Sequence, residues 1–446
     1  MRFRILAVLL SVLTLAAVAV GLAVLGDNGT PLQSVWLRVL IASSVAVYLG
    51  AVWLLLRGQE APSLSLILGV AIVLRLALAL STPMLSSDIY RYVWDGEVQN
   101  AGISPYLHVP ADPALAGLRT DAIFPHINRA DYAPTIYPPA AQAIFAAVAS
   151  VSPGVVAMKL AMLGFEAVTI FTLLRLLAAS GQSASRVLIY AWNPLALWEV
   201  AGNGHIDAAA VGLIFAALLL QVRRPGWAGV ALGAAVLTKF LPAVVIPALW
   251  RRGVAGWRMV AAGVVCIVAF YGVYCTFDSA GWHVLGFLGG YGAEEGIDNG
   301  SGIWALAGLA TLVDLPHWAA PLYLGVVAVG LAGLGAWIGL RRRPPLGSAL
   351  AVRRMCGDAG ILAAALMLAV SPHYAWYYVW LSAFAAITPY RALIWLSSAA
   401  VLLYESPFPD HFHWPALLFL PALAFAWRDV QSARAPSPTR ALQGSF

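Results

Sequence analysis

Charge is what this chain has least of. Only 10% of its 446 residues are charged, against 61% hydrophobic, and the mean hydropathy is +0.82. Soluble domains carry about 25% charge, so the composition excludes a soluble globular protein and predicts an integral membrane one. The alternating ten-residue segments of an outer-membrane barrel are also missing; the apolar runs are long enough for helices and are interrupted by Gly and Pro. Three cysteines (Cys266, Cys275 and Cys356) lie in or beside apolar segments and offer neither a disulfide framework nor a metal site. No HxxH or CxxC spacing occurs, and there is no internal repeat. The net charge of +6 calls for no nucleic acid, because the basic residues cluster where cytoplasmic loops belong.

What remains is a series of greasy spans. Apolar runs at Ile5–Leu25, Trp36–Leu56, Leu64–Thr82, Val155–Leu177, Val187–Val200, Ala208–Leu220, Met259–Cys275, Ala319–Leu340, Asp358–Val370, Val379–Ile387, Leu393–Tyr404 and Pro415–Trp427 predict helices. Ile5–Leu25 is long for a signal-peptide core and reads as a retained first helix. Ala140–Val151 reads as a short helix dipping into the membrane edge. Trp227–Phe240 and Leu241–Trp250 are each too short for a bilayer that needs about 20 residues; they predict a hairpin of broken helices with Lys239 at its tip. The expectation is an all-α polytopic membrane protein with roughly 11–14 transmembrane or re-entrant helices and both ends inside. Residues 1–430 form one domain, with outer loops at 84–139 and 277–300 and a disordered cytoplasmic tail at 431–446.

The polar stretch Ser86–Pro139 organises the rest. A loop this long, with its own aromatic and Pro content, reads as functional. Its first carboxylate, Asp88, follows directly on the third span and belongs at the membrane surface, where it is the candidate base. Asp88 and Asp95 are seven residues apart, two turns or about 10 Å on a helix. One of them is therefore the base and the other binds sugar hydroxyls or Arg91. Asp88 is alternatively a helix N-cap, and Glu97 reads as solvated. Tyr90, Tyr92 and Tyr137 lie in the same stretch. Three further clusters stand at the outer ends of short spans, where polar groups are costly unless used or paired: Asn203, His205 and Asp207; Lys239; and His373 with Tyr374 and Trp376. A buried Lys239 suits an anion, and His373 offers N–H donors to a phosphate. Arg75, inside the third span, reads as a structural or snorkelling arginine before a functional one.

Ser87-Asp88-Ile89-Tyr90, Trp198–Asp207 with Asn193-Pro194 ahead of it, Gly233–Pro242 and Pro372-His373-Tyr374-Ala375-Trp376 together resemble the landmarks of GT-C-type polytopic glycosyltransferases. They are most similar to those of bacterial mannosyltransferases that use polyprenyl-phosphate mannose. The resemblance covers nearly the whole chain in order and topology, although each motif is short. It implies an inverting transfer on the periplasmic face of the bacterial inner membrane. The substrates it implies are a lipid-linked sugar donor and a glycolipid or polysaccharide acceptor, with no cofactor or metal. By position, Asp88 is the general base in this family's scheme, while Lys239 and His373 hold the donor phosphate. The competing reading is a transporter or flippase for a lipid-linked sugar, in which Arg75 and Lys239 are pathway residues. A single outward cavity shared by Asp88, Lys239 and His373 would favour the transferase.

Overall fold

The computed structural model describes residues 1–27, 29–58, 61–345, 347–405 and 412–434. Among them every regular element is helical. Five helices are long and apolar enough to cross a membrane: Arg2–Gly26, Val35–Leu56, Val155–Ala179, Val254–Ser279 and Ala319–Leu340. A bent pair, Pro194–Gly202 with Asp207–Gln221, makes a sixth if taken as one span. Shorter apolar helices (Leu64–Ala79, Pro139–Val151, Pro225–Thr238 and Ala375–Ile387) fill the spaces between them. This is an all-α polytopic membrane protein.

Local chemistry sets where these helices begin. Ser34, Ser63 and Ser348 cap theirs, each side-chain oxygen accepting from an amide three residues on, at 3.4, 3.3 and 3.2 Å. Asn193 does the same for Ala196 at 3.1 Å, just ahead of Pro194. From Pro194 the chain cannot run straight. It passes through a π-helical stretch, Leu197–Gly202, then bends by 116° into Asp207–Gln221. Gly204 makes the corner at φ +70°, where a β-carbon would sit 2.3 Å from Ile89 Cδ1. The span expected at Val187–Val200 is thus a set of short turns around a corner, because Pro194 and Gly204 interrupt it. π-helical bulges cluster at functional sites, and this one carries Glu199.

Other boundaries also move. The third helix ends at Ala79 rather than Thr82, and the helix expected from Asp358 begins at Ala349, taking Arg353 and Arg354 into its first turns. The last helix continues through Arg434 instead of giving way to a tail at 431; residues 435–446 of that expected tail lie outside the described residues, as do 406–411. The stretch 86–139 is not all loop: it opens with a helix, Asp88–Asn100, followed by two short turns, Pro113–Leu118 and Phe124–His126. Ser87 holds the N-cap position and Asp88 is the first helical residue, so Asp88 is not the cap.

Arg75 is buried and bound on two edges. Its Nε and Nη2 donate to Glu166 at 2.8 and 2.6 Å, and Nη1 donates to the Ala191 carbonyl at 2.7 Å. A guanidinium with a matched carboxylate is the arrangement that makes a charge tolerable at this depth. Arg75 is thus paired inside the fold rather than snorkelling to the interface.

The two ends of the molecule differ in charge. Ala349–Val370, about 33 Å long, starts beside a cluster of Arg251, Arg341, Arg342, Arg343 and Arg354 around Asp358 and ends at the turn carrying His373. At that second end the two polar stretches dock on each other. Ser104 N donates to Asp278 at 2.9 Å, Phe287 N donates to the Thr135 carbonyl at 3.1 Å, and Arg129 reaches Glu294 at 2.7 Å.

Candidate active site

The docked stretches roof a cavity of about 400 Å³ over the ends of the helices. Asp88, Arg91, Tyr92, Tyr137, Asp207, Lys239, His373, Tyr374 and Trp376 all line it. These residues come from four separate parts of the chain, and the fold brings them to one place. Asp88 stands in the first turn of Asp88–Asn100, where its carboxylate faces the positive end of the helix dipole. Asn128 Nδ2 donates to its Oδ1 at 2.9 Å, and its side chain keeps 18% of its surface exposed. A fixed, partly open carboxylate of this kind is suited to take a proton.

Each basic side chain at the cavity has an acidic partner. Lys239 Nζ lies 2.6 Å from Asp207 Oδ1 and 3.7 Å above the Tyr377 ring. Arg129 spans Glu294 and Glu295 at 2.7 and 3.3 Å. His373 Nε2 is 2.6 Å from Glu295 Oε2, and Arg91 Nε donates to Asp95 at 2.7 Å. Aromatic rings make much of the remaining wall, with Tyr374 stacked on Trp376 at 4.5 Å. Burial pushes the hydroxyls of Tyr92, Tyr137, Tyr291 and Tyr374 above the ordinary tyrosine range, so they stay neutral O–H donors at physiological pH. Cations, neutral hydroxyls and rings together suit a sugar phosphate.

Four expected site residues do not line the cavity. Asp95 is fully buried, and its two oxygens are taken by Arg91 Nε and by Gln142 Nε2 at 2.8 Å, so it positions Arg91 and is unavailable to a sugar. Tyr90 instead packs its ring on His126 at 4.6 Å. Asn203 and His205 are buried behind Asp88, where Asn203 Oδ1 accepts from the amides of Met84 and Leu85 at 3.2 and 3.1 Å. Glu97 is half-buried rather than solvated, and burial raises its carboxyl above the usual range.

The structure adds residues that spacing alone did not single out. Arg129, Asn128 and Glu295 reach the site from loops, and Tyr291 and Tyr377 from the short helices Leu288–Glu294 and Ala375–Tyr378, through contacts that are non-local. Glu199 is different: it is fully buried, accepts from Asn203 Nδ2 at 2.7 Å and from the Tyr404 hydroxyl, and lies 3.3 Å from His205 Nε2. A lone carboxylate inside the apolar run Leu195–Ala201 was a signal visible in the sequence. Lys159 is the other of the chain's two lysines; it is buried and donates to the Leu78 and Ser81 carbonyls at 3.2 and 2.6 Å. It ties the end of the third helix to Val155–Ala179 beneath the site.

A family model described as alpha-(1->6)-mannopyranosyltransferase, N-terminal domain, matches residues 4–255. Asp88, Glu199, His205, Asp207 and Lys239 fall within the match, while Glu295 and His373 lie beyond it. The chain is 28% identical over 223 residues to alpha-(1->6)-mannopyranosyltransferase A of Mycobacterium tuberculosis, covering 47% of this chain and 43% of the relative. It is 29% identical over 200 residues to the protein of the same name from Corynebacterium glutamicum, covering 42% and 39%. The matches thus span less than half the length of either curated relative. No solved structure matches the chain. With a membrane-embedded helical fold, a carboxylate-bearing cavity at one end and more than half of its residues matched, the chain belongs to the alpha-(1->6)-mannopyranosyltransferase family.

Proposed function

We propose that this protein is a membrane mannosyltransferase that moves mannose from a polyprenyl-phosphate donor to a glycolipid or polysaccharide acceptor, with inversion at the sugar carbon. The observation that carries this reading is that Asp88, Lys239 and His373, far apart in sequence, line one cavity. Asp88 takes the acceptor hydroxyl's proton as that oxygen bonds to C1. The C1–phosphate oxygen bond breaks, and the electron pair leaves on polyprenyl phosphate. Lys239, Arg129 and His373 stabilise the departing charge, and the tyrosine hydroxyls and Trp376 hold the sugars. The chain's own cations supply what a metal ion would otherwise provide.

The orientation proposed is cavity outward, on the periplasmic side of a bacterial inner membrane. It is supported by the arginine cluster at the opposite end, since cytoplasmic ends carry the excess of Arg and Lys. A lipid donor accounts for a site placed at the ends of membrane helices. The test is release of polyprenyl phosphate from polyprenyl-phosphate mannose by purified protein supplied with a glycolipid extract. Release that depends on the acceptor supports the reading; movement of intact donor across liposomes without release would replace it with the transporter.

A further inference from the structure

Beside Asp88, buried but bordered by Trp376 and Tyr404 of the cavity wall, stands a row of groups that the proposed transfer leaves unused. His205 Nδ1 is 3.9 Å from Asp88 Oδ2, and His205 Nε2 is 3.3 Å from Glu199 Oε2. The imidazole is 1% exposed and lies nearly flat on Trp376, with ring centroids 4.3 Å apart at 19°. Glu199 is held by Asn203 and Tyr404, as described above, and Asn203 is fixed by the amides that lead into the Asp88 helix. The other ionisable groups packed beside this row are Asp207, engaged by Lys239 at 2.6 Å, and Lys159, which lies against Gly204 with its Nζ donating to the Leu78 and Ser81 carbonyls.

Each contact has a physical cause. A buried carboxylate needs hydrogen-bond partners, and Glu199 accepts from Asn203 Nδ2 and the Tyr404 hydroxyl. Lying 3.3 Å from Nε2, Glu199 favours the tautomer with the proton on that nitrogen, which leaves the Nδ1 lone pair on the side of Asp88. Such a third group, orienting a histidine that serves the reacting residue, recurs wherever proton transfer must be timed. The gap of 3.9 Å is long for a hydrogen bond, and catalytic hydrogen bonds commonly tighten only once substrate is bound.

We propose that Glu199 and His205 are positioning residues that set the protonation of Asp88. The inference rests on the transferase reading above. As the acceptor oxygen bonds to C1 and the phosphate leaves with its electron pair, the acceptor's proton passes to Asp88. It then moves from Asp88 Oδ2 to His205 Nδ1, which becomes an imidazolium between the Asp88 and Glu199 carboxylates. Asp88 is thereby returned to its ionised state before product leaves, and the proton then passes back through Asp88, the partly exposed member of the row, to solvent.

The experiment compares wild type, Glu199→Gln, His205→Gln and the milder Tyr404→Phe as purified full-length protein, following polyprenyl-phosphate release from about pH 5 to 9. In Glu199→Gln, kcat falls at least about tenfold while the donor KM stays within about twofold. Without Glu199 the imidazolium is less stabilised, so the acidic limb of kcat moves to lower pH; Tyr404→Phe moves it the same way by less. The double variant Glu199→Gln/His205→Gln is no slower than His205→Gln alone. The titration of His205 by nitrogen-15 NMR, assigned with His205→Gln, shifts down in Glu199→Gln whether or not the protein turns over. An active wild type with an unchanged pH profile in Glu199→Gln, or an unshifted His205 titration, overturns the inference. Absence of any release by wild type overturns the transferase reading instead and leaves the NMR titration to decide the coupling.

Discussion

Lys239 and Asp207 meet at the cavity wall with 2.6 Å between ammonium and carboxylate, over the face of Tyr377. Lys239 caps the end of Pro225–Thr238 and Asp207 begins Asp207–Gln221, the second half of the bent pair, so the pair fixes two breaks in the membrane helices against each other. It also holds the ammonium in place at the cavity wall.

If that ammonium binds the donor phosphate, Lys239→Ala raises donor KM by about 10- to 100-fold, the cost of about 1.5–3 kcal/mol for a hydrogen bond to a charged group. Asp207→Asn frees the ammonium from its competitor and lowers donor KM or leaves it unchanged. Steady-state kinetics on both variants checks this. A higher KM in Asp207→Asn would show that the carboxylate itself contacts the sugar.

The pair of Arg75 and Glu166 belongs to the fold rather than to transport. Glu166→Ala leaves a buried guanidinium without its partner, a change that costs about 3–5 kcal/mol. Thermal denaturation in detergent is therefore expected to fall well below wild type, with donor KM of the surviving protein unchanged. A normal melting temperature combined with lost donor movement would return Arg75 to a pathway role.

The roof of the cavity depends on the docking of two loops. Gly286 sits at φ +56°, and a β-carbon there would come within 1.9 Å of the Thr135 carbonyl, next to the Phe287 N–H bond to the same oxygen. Gly286→Ala is expected to part the loops, raising protease sensitivity in 277–300 and reducing kcat/KM at least about tenfold. Arg129→Ala, which removes the contacts to Glu294 and Glu295, is expected to do the same. Wild-type cleavage patterns and rates in both variants would show that the roof is not needed.

If Lys239, Arg129 and His373 stabilise the leaving phosphate as proposed, chelation with EDTA is expected to leave release of polyprenyl phosphate unchanged. A rate abolished by EDTA and restored by one divalent cation would require a metal at the phosphate.

Much of this was legible in the sequence because of what a membrane forbids. Asp88, Lys239, His205 and His373 stand out against apolar surroundings, and the resemblance placed them in order along the chain. Helix existence followed from long apolar runs such as Ala319–Leu340, whose bounds the structure reproduces. What was not legible depends on non-local contacts. Asp95 looked as exposed as Asp88, yet Gln142, forty-seven residues on, closes over it. Arg129 and Glu295 find each other only when the two outer loops dock. The bend after Pro194 was hidden because its residues are as apolar as a straight span, although Glu199, a lone carboxylate within that run, was legible there.

The central claim is that Asp88 is the base, and the most direct measurement compares Asp88→Asn with wild type in polyprenyl-phosphate release, alongside direct binding of the donor. The substitution keeps the size of the side chain and its place at the head of the helix. The account predicts donor binding within about twofold of wild type and release slowed by about 10²–10⁴-fold. Release at the wild-type rate would contradict it and assign the proton to another group.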